Sequence, residues 1–493
     1  NRVRWNHGFF FQDTFRPTPK LTLTLGLRWD AVLPWTEQNN FLAAFDEKTG
    51  KIVVPDAALS KVSPLMPTGY IDVIGASAAG YPANTLVRSD LNNWQPRLGF
   101  AYRPWDNNTV FRGGFGLAYN TAPPGVSTGA VVPFIISEPS YTNPQDNPLI
   151  WPVVYPSTGS GGPSTVSIPG SIAGDIRIPR VIQYSFAIEH QRWDTGFMIA
   201  YNANGTRHNT YSLPINRPVA DDRLFIEKPR PFPLYPDISR TENGAGHQYH
   251  ALTIQATRKS RGGLYYQTYF TWANDMTDET TPEDPTNRLR EKARHDRQAK
   301  LRYSANAVWE IPVGRGRKFM SDAHWLVNGI LGGWRLSSIV ALESGRPLTV
   351  MWTGPDPTGT RYTTSSTRPN VTIRPDVLGD FTVDNPNQYL WFDKTKFAAP
   401  PIGRYGNAGR GILIGPGVRV MHNSLAKEFP IKERARLRFE VLARNTLNHP
   451  NWGNPDTNIS NAGAGGIYSV LDLNSKFDAA TPREVQLHMR FEW

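Results

Sequence analysis

Cysteine is absent from all 493 residues. That excludes a disulfide framework, a cysteine-ligated zinc site and a thiol nucleophile. Long apolar runs are missing too. No stretch approaches the roughly 18 uninterrupted apolar residues of a membrane helix. Helical spans are thereby excluded. A membrane β-barrel is not, because alternating strands average to a polar value such as the mean hydropathy of −0.44. Catalytic signatures are also lacking: there is no HExxH, no Walker loop and no GxSxG. Gly75-Ala76-Ser77-Ala78-Ala79 misses the nucleophile elbow and lies in Gly/Ala-rich sequence. No enzyme and no cofactor is expected.

Aromatic residues are abundant, with 15 Trp, 19 Tyr and 23 Phe. Gly and Pro number 42 each, which breaks helices and favours turns. The net charge is +11. A basic surface suits an anionic partner such as lipopolysaccharide, nucleic acid or an acidic substrate. Charge scattered over loops and a barrel interior accounts for it more simply, and no nucleic-acid partner is assigned.

The informative pattern has a period of two. Val485, Leu487, Met489, Phe491 and Trp493 share one face, and Glu484, Gln486, His488, Arg490 and Glu492 share the other. Leu21, Leu23, Leu25, Leu27 and Trp29 likewise oppose Thr22, Thr24, Gly26, Arg28 and Asp30. Thirteen such segments are read, near 5–15, 20–32, 95–103, 109–119, 180–192, 196–207, 247–260, 264–274, 298–311, 333–345, 418–429, 434–447 and 483–493. Many exceed the usual 5–6 residues of a soluble strand and suit a tilted crossing of a bilayer. Trp29, Tyr119, Trp272, Trp309 and Trp493 fall near strand ends, as in an interfacial girdle.

The connections alternate in length. Residues 16–20, 104–108, 193–195, 261–263 and 430–433 are tight; 33–94, 120–179, 208–246, 275–297, 346–417 and 448–482 are long. Outer-membrane barrels sort their turns this way, short on the periplasmic rim and long outside. Residues 313–332 break the rule, with room for a short helix around Trp325–Leu331. An odd strand count puts the two ends on opposite rims. Residues 1–493 are therefore read as the C-terminal portion of a transmembrane β-barrel, with a signal peptide, early strands and a plug expected upstream. A count of fourteen would allow a closed barrel.

Several site readings follow. Arg28, Arg97, Arg112, Arg302, Arg335, Arg436, Arg438 and Arg490 lie on polar strand faces and are expected to point into the lumen. There they favour anionic cargo or pair with acids of the plug and neighbouring strands. Asp275, Asp278, Glu279, Glu283 and Asp284 form an acidic loop. Carboxylate clustering suits Ca²⁺, but the spacing is not that of an EF-hand, and nearby arginines balance the charge. His247 and His250 stand three apart, which on a strand sends them to opposite faces. Trp35, Tyr70, Trp94, Trp352 and Trp391 are expected as loop contacts that stack on ligands or pack the loops together.

The run Arg434–Pro455, RARLRFEVLARNTLNHPNWGNP, resembles the penultimate strand of Oar-like TonB-dependent receptors, a group abundant in Acidobacteria. Thr446 departs from the aromatic usual at that place. Trp391–Gly417, His295–Phe319, Phe10–Arg28 and Asn93–Tyr119 are similar, in the same order, to other stretches of that family. So are Pro482-Arg483-Glu484 and the aromatic last residue. The resemblance implies a 22-stranded plugged barrel of the transporter kind. It implies uptake or secretion of a peptide, protein, glycan or metal chelate, driven by the TonB complex through the N-terminal region. Outer-membrane lipid, lipopolysaccharide and a surface lipoprotein or other protein are the implied partners. Two rival readings stand beside it: a structural barrel that displays loops for surface assembly, and a soluble β-rich propeller or carbohydrate enzyme.

Overall fold

The computed structural model describes residues 2–64, 72–105, 107–120, 127–128, 132–135, 168–172, 176–233, 235, 237–432, 435–471 and 482–493. Thirteen long strands carry the architecture: β1 (Asn6–Thr18), β2 (Leu21–Val32), β3 (Trp94–Tyr102), β4 (Thr109–Tyr119), β5 (Arg180–Arg192), β6 (Thr195–Pro214), β7 (Ser239–Arg261), β8 (Leu264–Thr277), β9 (Leu301–Glu310), β10 (Trp334–Glu343), β11 (Val418–Lys432), β12 (Ala435–Arg444) and β13 (Glu484–Glu492). Each pairs antiparallel with the next in chain order. The thirteen sequence segments correspond one to one.

Register turns the alternation of single strands into two continuous surfaces. One cross-strand row reads Leu21, Tyr102, Phe111, Ile188, Ile199, Ile254, Phe270, Tyr303, Leu342 across nine strands. These side chains share one face because every pairing keeps the parity. Phe115, Phe186, Ile199, Ile254 and Trp272 on this face are exposed, as a lipid-facing wall requires. The opposite face carries Arg28, Gln95, Arg112, Glu189, Asn202, Arg302 and Glu428, a polar lumen side. β1 is the irregular strand: Phe10 lies opposite Arg28 on the polar side, and Asp13 lies opposite Leu25 on the apolar side.

One rim has tight hairpins. Trp193 and Asp194 have φ of 51° and 59°, and Gly262 and Gly263 have φ of 66° and 80°. Positive φ at both central residues is the two-residue turn whose twist matches the flanking strands. On the same rim, β9 and β10 are joined by residues 311–333, which hold the one α-helix of the described residues, α1 (Trp325–Leu331).

The other rim is built up. β6 and β7 are 20 and 23 residues long, well beyond their expected ends. At about 3.4 Å per residue such strands reach some 65–75 Å, more than a ~30 Å hydrocarbon core takes even when tilted. Their paired ends, past irregularities at Thr206–Asn209 and Tyr211, form a support outside the membrane. Short strands Leu42–Asp46, Lys51–Val54 and Val73–Gly75 fold over it. Ser171–Ile172 bridges them to Arg240 and Thr241 of β7 and to Phe45.

The larger hydrophobic clusters sit in this crown; a small one, Ala341 with Val418 and Val420, lies between β10 and β11. Ala43, Phe45, Ile52, Val54, Phe134, Tyr235 and Ile238 form one cluster, and Leu42, Ala44, Val53 and Leu86 a second on the other side of the same strands. Val350, Phe392, Phe397 and Leu413 form another under the loop between β10 and β11.

Candidate functional site

The region best suited to meet a ligand is the crown and the polar face beneath it. A cavity of about 730 Å³ opens between the first long loop and the raised end of β7. Its walls include Asp46, Glu47, Tyr81, Arg88, Arg177 and Arg240. The β7 extension places Arg240 there, where it pairs with Glu47 at 2.8 Å and Glu242 at 2.5 Å. Ser171 Oγ donates to the other Glu47 oxygen at 2.7 Å. Tyr81 donates its hydroxyl to Asp46 Oδ1 at 2.9 Å. Burial and that carboxylate push the Tyr81 phenol up to about 12. Arg88 and Arg177 are exposed at the cavity's edge, and neither meets a carboxylate among the described residues. The arrangement offers guanidinium donors toward solvent over a polar floor, a geometry that favours anionic groups.

A second cluster locks two loops together. The Arg374 side chain is 3% exposed and donates to Glu283 at 3.0 Å and Glu291 at 2.6 Å. Its Nη1 donates to the Arg290 carbonyl at 3.0 Å. Arg290 in turn meets Glu283 at 3.2 Å and the Gly406 carbonyl at 2.6 Å. A Cβ at Gly406 would lie 2.2 Å from the Arg374 carbonyl, so only glycine permits this approach. Nearby, Arg404 grips Asp376 with two nitrogens, at 2.8 and 2.5 Å. Burial works to raise the Asp376 pKa, but Arg404 and the Asn407 N–H outweigh it and hold the group below the ordinary carboxylate range. Lys228, its side chain fully buried, joins Asp221 at 2.9 Å and the Thr358 carbonyl at 2.6 Å.

The acidic loop is distributed by these contacts. Asp275 meets His247. Asp278 pairs with Arg288 at 2.8 Å. Glu279 accepts from Thr206 at 3.1 Å and from Asn209. Glu283 belongs to the Arg374 cluster, and Asp284 caps Thr286 at 2.9 Å. Among the described residues no three such ligands converge. His247 faces the polar side, while His250 accepts or donates at 2.7 Å with the Tyr201 hydroxyl in an aromatic group on the apolar side.

Seven of the eight wall arginines meet carboxylates. Arg28 pairs with Asp30 at 2.8 Å, Arg112 with Glu189 at 3.0 Å, Arg302 with Glu343 at 3.2 Å and Arg335 with Glu428 at 3.0 Å. Arg436 meets Glu492, Arg438 meets Glu440 at 3.0 Å, and Arg490 meets Glu492 at 3.0 Å. Arg97 stands on the same face, opposite Gly26 and Gly116. It has no carboxylate partner among the described residues.

The expected loop aromatics divide. Trp35 is stacked by Arg4 at 4.4 Å. Trp352 opens a short strand, Trp352–Pro355, with its ring over Gly354. Trp391 donates Nε1–H to the Ile414 carbonyl at 2.8 Å and packs edge-on against Trp452. Trp94 is corrected: it is the first residue of β3, on the lipid-facing row beside Trp29, with ring centroids 6.2 Å apart. Its place in the aromatic girdle follows from register, which sequence alone did not supply. Tyr70 lies outside the described residues. Sequence reading missed Arg374, Lys228 and Arg240, because their partners are distant in the chain and carry no local pattern.

A family model described as outer membrane beta barrel domain matches residues 1–486. The chain is also similar to solved structures. The FrpB iron transporter from Neisseria meningitidis shows 11% identity and a TM-score of 0.41, covering 100% of this chain and 45% of that one. BauA, the ferric preacinetobactin receptor from Acinetobacter baumannii, shows 9% and 0.44, covering 99% and 42%. The copper transporter OprC shows 11% and 0.39, covering 100% and 49%. This chain thus spans less than half the length of those three. No curated protein matches the sequence. With its thirteen alternating strands and sorted rims, the chain belongs to the outer membrane β-barrel domain family and resides in the bacterial outer membrane.

Proposed function

We propose that this chain is the C-terminal wall and crown of a TonB-dependent receptor of the Oar-like kind. It carries a large or scarce solute, such as a peptide, protein, glycan or metal chelate, across the outer membrane. It acts by binding and gating, with no catalytic residue. The observation that carries this reading is the division of the molecule: a lipid-facing wall with a polar inner surface, tight turns on one rim, and a folded crown with a basic-edged cavity on the other.

Two details support a larger barrel. β1 and β13 both run from the crown rim to the turn rim, so they are parallel and cannot complete an antiparallel seam. Lipid tolerates no unpaired backbone edge. In the proposed receptor, further strands pair with these edges. An acidic group of an N-terminal plug is the natural partner for Arg97. The crown cavity, edged by Arg88 and Arg177, takes the anionic part of the solute first.

A second reading has its own support. The crown has a buried core and exposed aromatics, Tyr389 and Tyr468, as a surface for a protein partner would. Energy coupling separates the two. Cells that carry the full receptor are compared with and without a functional TonB complex. Transport predicts solute uptake that is lost with TonB; uptake or partner display that persists without TonB contradicts the coupling.

A further inference from the structure

The β9–β10 connection is too long for a periplasmic turn, and its composition is unusual. Around α1 it exposes Phe319, Met320, Trp325, Leu326, Ile330 and Leu331. Trp325 and Ile330 are 67% and 68% exposed, in a helix of seven residues with none buried. A water-exposed turn has no reason to present such a face.

The position of the helix supplies the reason. Trp334 donates Nε1–H to the Ile330 carbonyl at 2.8 Å. Lys427 donates to the Gly329 carbonyl at 2.5 Å and the Asn328 carbonyl at 3.4 Å. Register puts both anchors on the lipid-facing side: Trp334 is opposite Lys427, in step with the Leu336–Leu425 and Leu336–Trp309 pairs. Lys427 also lies 5.3 Å from the Trp334 ring and 5.0 Å from Phe429. The C-terminal carbonyls of α1 are thus tied to the outer wall at the turn rim. Asn328 Oδ1 accepts the Arg315 N–H at 2.7 Å, folding the preceding segment against the helix. That segment carries Arg315, Arg317 and Lys318; Arg317 pairs with Glu310 at 3.1 Å, and Lys318 sits over Phe319 at 5.5 Å. Basic heads beside Trp and aliphatic side chains are the composition of an element lying in a membrane interface.

We infer that residues 315–331 form a foot seated in the periplasmic leaflet, with the apolar face of α1 among acyl chains and Arg315 and Lys318 on anionic phospholipid headgroups. The foot continues the lipid-facing band of the wall sideways into the bilayer. It fixes the height and rotation of the barrel at this hairpin.

The test uses the full receptor, purified and reconstituted in phosphatidylcholine vesicles with or without phosphatidylglycerol. Leu326→Cys or Ile330→Cys carries an environment-sensitive fluorophore; Tyr389→Cys, exposed in the crown, is the aqueous reference. The residues here contain no native cysteine, and the unsubstituted receptor gives the labelling background. The foot predicts blue-shifted emission at 326 and 330, quenched by brominated acyl chains, with the reference unaffected. Phosphatidylglycerol deepens quenching, and Arg315→Gln with Lys318→Gln removes that increment while the barrel remains folded. Emission at 326 and 330 that matches the aqueous reference overturns the inference and leaves the face for a periplasmic protein. Quenching that is indifferent to phosphatidylglycerol overturns the headgroup assignment.

Discussion

The wall and the crown solve opposite problems with the same set of side chains. In the wall, the large apolar residues Leu25, Phe115, Phe186 and Ile199 are exposed, and the buried apolar cluster found among the described wall residues is small, Ala341 with Val418 and Val420. In the crown, Phe45, Ile52, Val54 and Phe392 are buried almost completely, as in a soluble domain. Charges differ likewise. Wall pairs such as Arg112–Glu189 stay half open, whereas Arg374 and Glu291 are buried and Glu283 nearly so. The wall borrows its solvent from the bilayer; the crown must make its own interior. Changes should therefore act on one region without the other, and four such changes sharpen or break the comparison.

The largest effect is expected for Arg374→Ala. It leaves the buried Glu291 without a cation and Glu283 with Arg290 alone, which costs about 3–5 kcal/mol. Hydrogen exchange should rise across residues 278–300 and 344–417, while the heat-modifiable mobility of the barrel on gels is retained. Loss of both together would show that crown and wall are one cooperative unit. Next is Leu25→Lys, on the lipid side of β2 and near its middle. A lysine at mid-bilayer costs about 2–4 kcal/mol, and the lumen-side neighbour Thr24→Lys should cost little. Equal effects on barrel folding yield would contradict the assignment of faces.

Acid should loosen the crown before the wall. Hydrogen bonds and ion pairing from Arg223 lower the Asp221 pKa, and Arg404 lowers that of Asp376 despite its burial. For carboxylates depressed in the folded state, the stabilisation is present above the ordinary carboxylate range and is lost as pH falls toward the folded values. Proteolysis of the loops, titrated downward from neutral pH, should rise in that window, and Asp376→Asn should flatten part of the response. The smallest effect belongs to Arg112→Ala. Its pair with Glu189 is solvent-facing, so about 0–1 kcal/mol is expected in barrel unfolding by denaturant.

How much could be read from the chain follows from the same contrast. Wall strands announce themselves, because lipid on one side and a polar lumen on the other impose alternation residue by residue. β4 and β5 match their predicted segments to the residue, and α1 matches the short helix for which the overlong 313–332 connection leaves room. The reading stopped where lipid stops. Above the membrane β6 and β7 continue with Asn, Gly and Thr on both faces, and no alternation marks Asn209–Pro214 or Ser239–Gly246 as strand. The crown was hidden for a different reason. Phe41–Asp46 is a short apolar run buried on both sides, indistinguishable by period from a loop. Arg374 finds Glu283 across 91 residues and Lys228 finds Thr358 across 130. Trp94 was misplaced because its girdle position depends on pairing with Trp29.

A nitroxide scan along Leu21–Trp29 and Leu301–Trp309, with the receptor in bilayers, tests the division most directly. Oxygen collision rates should peak at every second position, at Leu21, Leu23, Leu25, Leu27 and Trp29 and at Leu301, Tyr303, Ala305, Ala307 and Trp309, with minima between. A flat profile, or maxima at Thr24 and Arg302, would contradict a lipid-facing wall.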